Sequence, residues 1–191
     1  MTSVAASLNP TRIIGLASDV FALLSCAIAW AKGRGVPPQR SLAIFLTGLE
    51  AAILIDFVFN ARWLLHDSLA KLAIAINLYN DRSGPQHVAL GLLVTAVAAG
   101  VGFTSWLFRD RPGAALAACG GILSSCCWCV EVISLHSVDN LIYRRVDGVT
   151  LVRLAWSACS LMTGVGVLWD TFAGRALNHS GNRPKEPPPT P

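Results

Sequence analysis

Residues 114–139, AALAACGGILSSCCWCVEVISLHSVD, run from Ala114 to Val130 without a charge and then set Glu131, His136 and Asp139 within nine positions. The uncharged length suits a hydrocarbon core of roughly 30 Å, which about twenty helical residues cross. The charged end needs a reason, because an ionisable group inside hydrocarbon costs about 2.5–3.5 kcal/mol on insertion scales. Residues 114–135 therefore read as a transmembrane helix that brings titratable groups to one face of a bilayer.

Four other stretches have the same character: 13–31, 42–60, 88–108 and 149–170. Basic or turn-forming connectors separate them: KGRGVPPQR, NDRSGPQ, RDRPG and YRRVDG. The expected fold is all-α, a polytopic transmembrane helical bundle of about five spans within one domain over residues 1–173. The tail 174–191 is polar and Pro-rich, buries no core, and is expected to be disordered. Of the 191 residues 53% are hydrophobic and 14% charged, and the mean hydropathy is +0.54, above the soluble norm. The lipid bilayer is the expected partner. The 15 basic residues sit at the ends of apolar runs and form no stripe, which excludes a nucleic-acid partner.

Residues 61–80, ARWLLHDSLAKLAIAINLYN, are too charged for a sixth crossing, with Arg62, His66, Asp67 and Lys71. Leu65, Leu69, Leu72 and Ile76 recur at helical spacing, so the stretch reads as an amphipathic helix lying in the interface. A rival reading continues the second span straight through it, since only Gly48 between Arg40 and Ser83 is a helix breaker. In the first span Arg12, the apolar run and AIA at 27–29 have the outline of a cleavable signal, but Asp19 in the middle of that run argues for an uncleaved helix.

Five spans put the termini on opposite sides. The 15 basic residues then divide seven to eight between the two sides, too evenly to orient the chain by count. The first short loop, with Lys32, Arg34 and Arg40, and the basic tail point to an external N-terminus and a cytoplasmic C-terminus in a cell (inner) membrane. Trp30, Trp106 and Trp169 fall together at the second face, as an aromatic belt requires.

Acidic and imidazole groups are the asymmetric feature. Asp19, Asp56, Asp67, Asp81, Glu131, Asp139, Asp147, His66, His87 and His136 belong to the side of the N-terminus, with Glu50 near the middle of the second span. Asp19, Glu50, Asp56 and Glu131 fall within apolar spans and must face protein or water. Either they tie helices together by pairing with Arg62, Arg153 or Asn60, or they line a one-sided polar pocket for a proton, ion or small amphiphile. On the pocket reading the ligand- or proton-binding groups are Glu50, Asp56, Arg62, His66, Glu131, His136, Tyr143 and Arg153.

Two other classes of function compete. His136, Asp139 and Tyr143 recur at i, i+3 and i+7 of a helix, so His136 with Asp139 or Glu131 are candidate catalytic residues of a membrane enzyme acting on a lipid-like substrate. The donor types of His66, His136 and Glu131 suit a zinc or iron ion, and His66 with His136 suit haem, but no HExxH or comparable spacing supports either cofactor. An accessory subunit of a membrane complex, or a homo-oligomer, would use the buried acids as ties. The C-x-x-C within CCWC at 126–129 lies mid-span, without a lysine or helix end to form a thiolate, and reads as packing. Gly100, Gly102, Gly120, Gly121, Gly164 and Gly166 likewise read as positions of close helix approach. No P-loop, dinucleotide fingerprint, G-x-S-x-G or zinc-finger spacing is present.

Overall fold

The computed structural model describes residues 10–32, 37–77, 83–133 and 136–181; the side chains of 37–39, 136, 137, 139 and 174–181 lie outside that description. Within it the chain forms α1 (Pro10–Lys32), α2 (Pro37–Phe59), α3 (Ala61–Ala75), α4 (Ser83–Leu107), α5 (Pro112–Ile133), α6 (His136–Ile142), the strands β1 (Arg145–Val146) and β2 (Val149–Thr150), and α7 (Leu151–Gly181). Five helices are long and apolar enough to cross a membrane: α1, α2 from Arg40, α4, α5 and α7 as far as Ala173. The fold is an all-α helical bundle, and the five long apolar helices among the described residues mark the chain as a membrane protein.

Proline sets most of the helix starts. Pro10, Pro37 and Pro112 open α1, α2 and α5, and Pro85 lies in the first turn of α4. Proline is tolerated there because the N–H it lacks has no partner within the helix. The helices accordingly begin two to five residues before the apolar runs expected at 13, 42, 88 and 114. At the other end, α7 continues to Gly181, past the start expected for a disordered tail at 174. Residues 175–178, RALN, contain good helix formers, and the first proline after them is Pro184.

The bend between the second span and the amphipathic segment falls at Asn60, whose φ of 54° and ψ of 41° are left-handed. Asparagine tolerates that region better than most residues. The break rules out a straight continuation of α2 and starts α3 in a new direction. The inward face of α3 carries Arg62, His66, Ala70 and Ala73, while Leu65, Leu69, Leu72 and Ile76 are exposed. One arginine, one histidine and two alanines face the protein, while its leucines and the polar Asp67, Ser68 and Lys71 face outward.

Between α6 and α7 the chain makes a two-residue hairpin, with Arg145 opposite Thr150 and Val146 opposite Val149. Asp147 (φ 50°) and Gly148 (φ 82°) both take positive φ, as a type I′ turn requires. Thr11 donates from Oγ1 to the Gly148 carbonyl at 3.2 Å and ties the hairpin to the start of α1.

In the bundle α1 packs on α2 and α7, α7 on α5, and α5 on α2, forming a ring of four helices; α4 packs on the outside of α5 and buries none of its residues. The α5–α7 seam is the closest. A Cβ on Gly166 would stand 2.5 Å from the Ala117 backbone nitrogen, and one on Gly120 2.6 Å from the Thr163 nitrogen. Small residues give this approach, and with it the dispersion contact that holds helices together in lipid. Gly102 does not share the role, since a Cβ there would meet nothing within 4 Å.

Candidate functional site

The polar interior of the four-helix ring has two layers. The outer one is built around Arg62 at the start of α3. The turn at Asn60 brings the chain back over the end of α2, so the Arg62 backbone N–H donates to Asp56 Oδ1 at 2.6 Å and its Nη1 lies 3.3 Å from Asp56 Oδ2. Asp56 thus accepts from the first turn of α3, where the helix dipole favours an anion. Arg62 Nε reaches Glu131 Oε2 on α5 at 2.7 Å, and the guanidinium lies 5.9 Å from the ring centroid of Trp156 on α7. All four side chains are buried. The second buried cation, Arg153 of α7, stacks over Phe57 at 4.2 Å and fills the space left by Gly15 of α1. It lies within electrostatic reach of Asp19, Glu131 and Tyr143, without an ion pair inside 4 Å among the described residues.

The inner layer stands near the middle of each helix. Asp19 and Glu50 are two residues from the midpoints of α1 and α2, about 3 Å along the axis at ~1.5 Å per residue. Around them are Ser124 of α5 and Ser160 and Thr163 of α7, and all five side chains are 0% exposed. Ser160 donates to Asp19 Oδ1 at 2.9 Å. Thr163 stands beside Glu50, but its one hydroxyl hydrogen goes to the Cys159 carbonyl at 3.1 Å. Asp19 Oδ2, both oxygens of Glu50 and the Ser124 hydroxyl are left with no hydrogen-bond partner. Buried polar atoms are nearly always satisfied, so four orphans contributed by three helices at one level are a feature to be explained.

Charge defines the same layer. The buried set holds four carboxylates, Asp19, Glu50, Asp56 and Glu131, against two guanidinium groups, Arg62 and Arg153. Arg62 contacts both outer acids and Arg153 lies within reach of Asp19 and Glu131, so the set carries two more negative than positive groups, and among the described residues no guanidinium acts on Glu50. At the opposite end of the bundle the arithmetic closes. There Arg111 grips Asp170 with two contacts, Nε donating to Oδ1 at 3.1 Å and Nη2 to Oδ2, a complete bidentate tie between the α4–α5 connector and α7.

The other sequence candidates sit around the outer layer. His66 Nδ1 lies 3.2 Å from the Val132 carbonyl and, since a carbonyl only accepts, must carry the proton; the ring is edge-on to Trp63 at 5.8 Å. Gln86 donates to the next carbonyl, Ile133, at 3.0 Å, so side chains from α3 and α4 cap the end of α5. His66 thus meets the α5 terminus one residue from Glu131, and no contact joins the two side chains. Tyr143 is exposed after α6. His136 and Asp139 lie on α6, but the side chains of this proposed catalytic pair are outside the described residues, as is the His136 ring for any metal or haem. Among the described residues no three His, Cys, Asp or Glu are arranged to hold a metal ion. Within CCWC it is Cys127, outside the C-x-x-C pair of Cys126 and Cys129, whose thiol meets Cys159 across the α5–α7 seam.

The sequence reading passed over Ser124, Ser160 and Thr163 and left Asp19 out of the binding set. A signal was present on α7: Arg153, Trp156, Ser157, Ser160 and Thr163 recur at i, i+3, i+4, i+7 and i+10, one face of a helix. Comparison of the chain with protein-family models, with curated proteins and with solved structures gave no significant match.

Proposed function

We propose that this is an integral protein of the cell's inner membrane whose interior binds protons reversibly at Asp19 and Glu50. The single observation that carries the reading is the inner layer: two fully buried carboxylates, three of whose four oxygens have no donor. Ionised and unpaired, such groups bear a desolvation cost of several kcal/mol each, which a proton removes. Placed near the helix midpoints they stand at mid-bilayer, where ionisable residues generally mark a pathway for ions or protons. The outer layer of Asp56, Arg62, Glu131 and Arg153 forms the entrance, and its paired charges hold α2, α3, α5 and α7 in register around it. In the orientation favoured by the basic first loop and tail, that entrance faces outward.

The expected outcome is measurable with the full chain in lipid nanodiscs. After a small acid pulse, read by a soluble pH indicator, the wild type should take up about one to two protons per molecule more than Asp19→Asn/Glu50→Gln. Equal uptake by the two proteins at every starting pH would remove the reading.

A further inference from the structure

We infer that the Asp19–Glu50 interior also holds one small alkali cation, sodium or lithium, in exchange for a proton. The inference rests on the proton reading and names a second ligand for the same groups. Its basis is the donor set. Asp19 Oδ2, Glu50 Oε1 and Oε2 and Ser124 Oγ have no hydrogen-bond partner, while Ser160 Oγ and Thr163 Oγ1 have given their hydrogens to Asp19 and to the Cys159 carbonyl. Each of those two hydroxyls still offers lone pairs. Six oxygens from α1, α2, α5 and α7 thus lie in the buried middle of the bundle, rich in acceptors and poor in donors. What such a set lacks is a positive centre.

Charge and size narrow the ion. Four buried carboxylates against two guanidinium groups leave an excess of two negative charges, which one proton plus one monovalent cation neutralises as completely as two protons do. Hard oxygen ligands suit alkali and alkaline-earth ions over soft transition metals. Magnesium keeps several of its waters, whereas these side chains are 0% exposed, and calcium would need at least all six oxygens at once, leaving none for the proton that the same groups hold. The helices also leave little slack, since a Cβ on Gly120 would stand 2.6 Å from Thr163 Oγ1. Close packing of this kind favours a small ion over potassium.

The titratable and charged groups facing the pair are Cys26 from α1, Arg153 and Cys159 from α7 and Arg62 from α3. On α5, Cys127 and Glu131 follow Ser124 by one and two turns. Because the ligands bind the ion deprotonated, cation and proton compete.

The test uses the full chain in nanodiscs, titrated calorimetrically with sodium chloride at about pH 8, with potassium and choline chloride as controls and proton release followed in weak buffer. The wild type should bind about one sodium ion, release about one proton, and lose roughly tenfold in affinity per pH unit of acidification. Glu50→Gln should weaken sodium binding by about 100-fold or more. Ser124→Ala, which removes a single neutral oxygen and decides the matter should Glu50→Gln fail to fold, should weaken it about 3- to 10-fold. Absence of sodium uptake while proton binding persists would overturn the inference and leave the proton reading in place. Uptake unchanged in both variants, or equal for potassium, would overturn it as well.

Discussion

Arg62→Ala is expected to cost about 3–5 kcal/mol of bundle stability, because it strands two buried carboxylates at once. Asp56 would keep the backbone N–H of residue 62 at 2.6 Å but lose its counter-charge at 3.3 Å, and Glu131 would lose its 2.7 Å contact. Neither acid has water to fall back on, since both side chains are under a tenth exposed. The penalty is one of unpaired charge, so it should be relieved by removing the charges. Asp56→Asn/Arg62→Met/Glu131→Gln should recover most of the lost stability, as replacing a buried ion cluster by neutral groups is often close to neutral. Thermal unfolding in mild detergent reads both variants. A loss below about 1 kcal/mol for Arg62→Ala would mean that the cluster is hydrated, as an exposed ion pair would be.

A loss of similar size is expected from Trp156→Ala, again about 3–5 kcal/mol. Trp156 is the largest fully buried side chain, at 1% exposure, and it packs against Ile53 and Val152 with Leu49, Cys127, Trp128 and Ile142 around them. It also provides the aromatic surface that Arg62 faces. Truncation would leave a cavity between a buried guanidinium and the core, whereas Trp156→Phe keeps most of the volume and should cost clearly less. If alanine and phenylalanine proved equally mild in the same unfolding assay, the tryptophan would not be a packing element.

The five apolar helices were legible because length and hydropathy alone determine which segments can cross hydrocarbon. Their starts were not, because proline reads as loop punctuation and yet opens α1, α2 and α5. The RVDGVT hairpin escaped notice because two residues per strand leave no alternation to detect, although Asp147–Gly148 is the turn that a type I′ hairpin demands. The boundary at 60/61 rested on charge alone, with no helix breaker beside it, and only the left-handed backbone observed at Asn60 decides for a bend over a straight helix.

The site divides in the same way. Topology placed Asp56, Arg62 and Glu131 on one side, and charge complementarity brought them into contact. Topology did not predict that Arg62 would satisfy both outer acids and so leave Asp19 and Glu50 to share the interior. The hydroxyls were hidden by ordinary behaviour: Thr47, Thr95, Thr104, Ser125 and Thr171 each donate to the carbonyl four residues back, as serines and threonines in apolar helices commonly do. Against that background Ser124 is distinguished only by lacking such a bond, which no sequence pattern reveals.

The most direct test of the central claim, reversible protonation of Asp19 and Glu50, is infrared difference spectroscopy of the full chain in nanodiscs across pH, reading the carbonyl stretch of protonated carboxyl groups. The account predicts a protonated-carboxyl band in the wild type that gives way to carboxylate on alkalinisation, reduced in Asp19→Asn and in Glu50→Gln and absent from the double variant. A wild-type spectrum with no titrating carboxyl band, or a band that survives intact in the double variant, would contradict it.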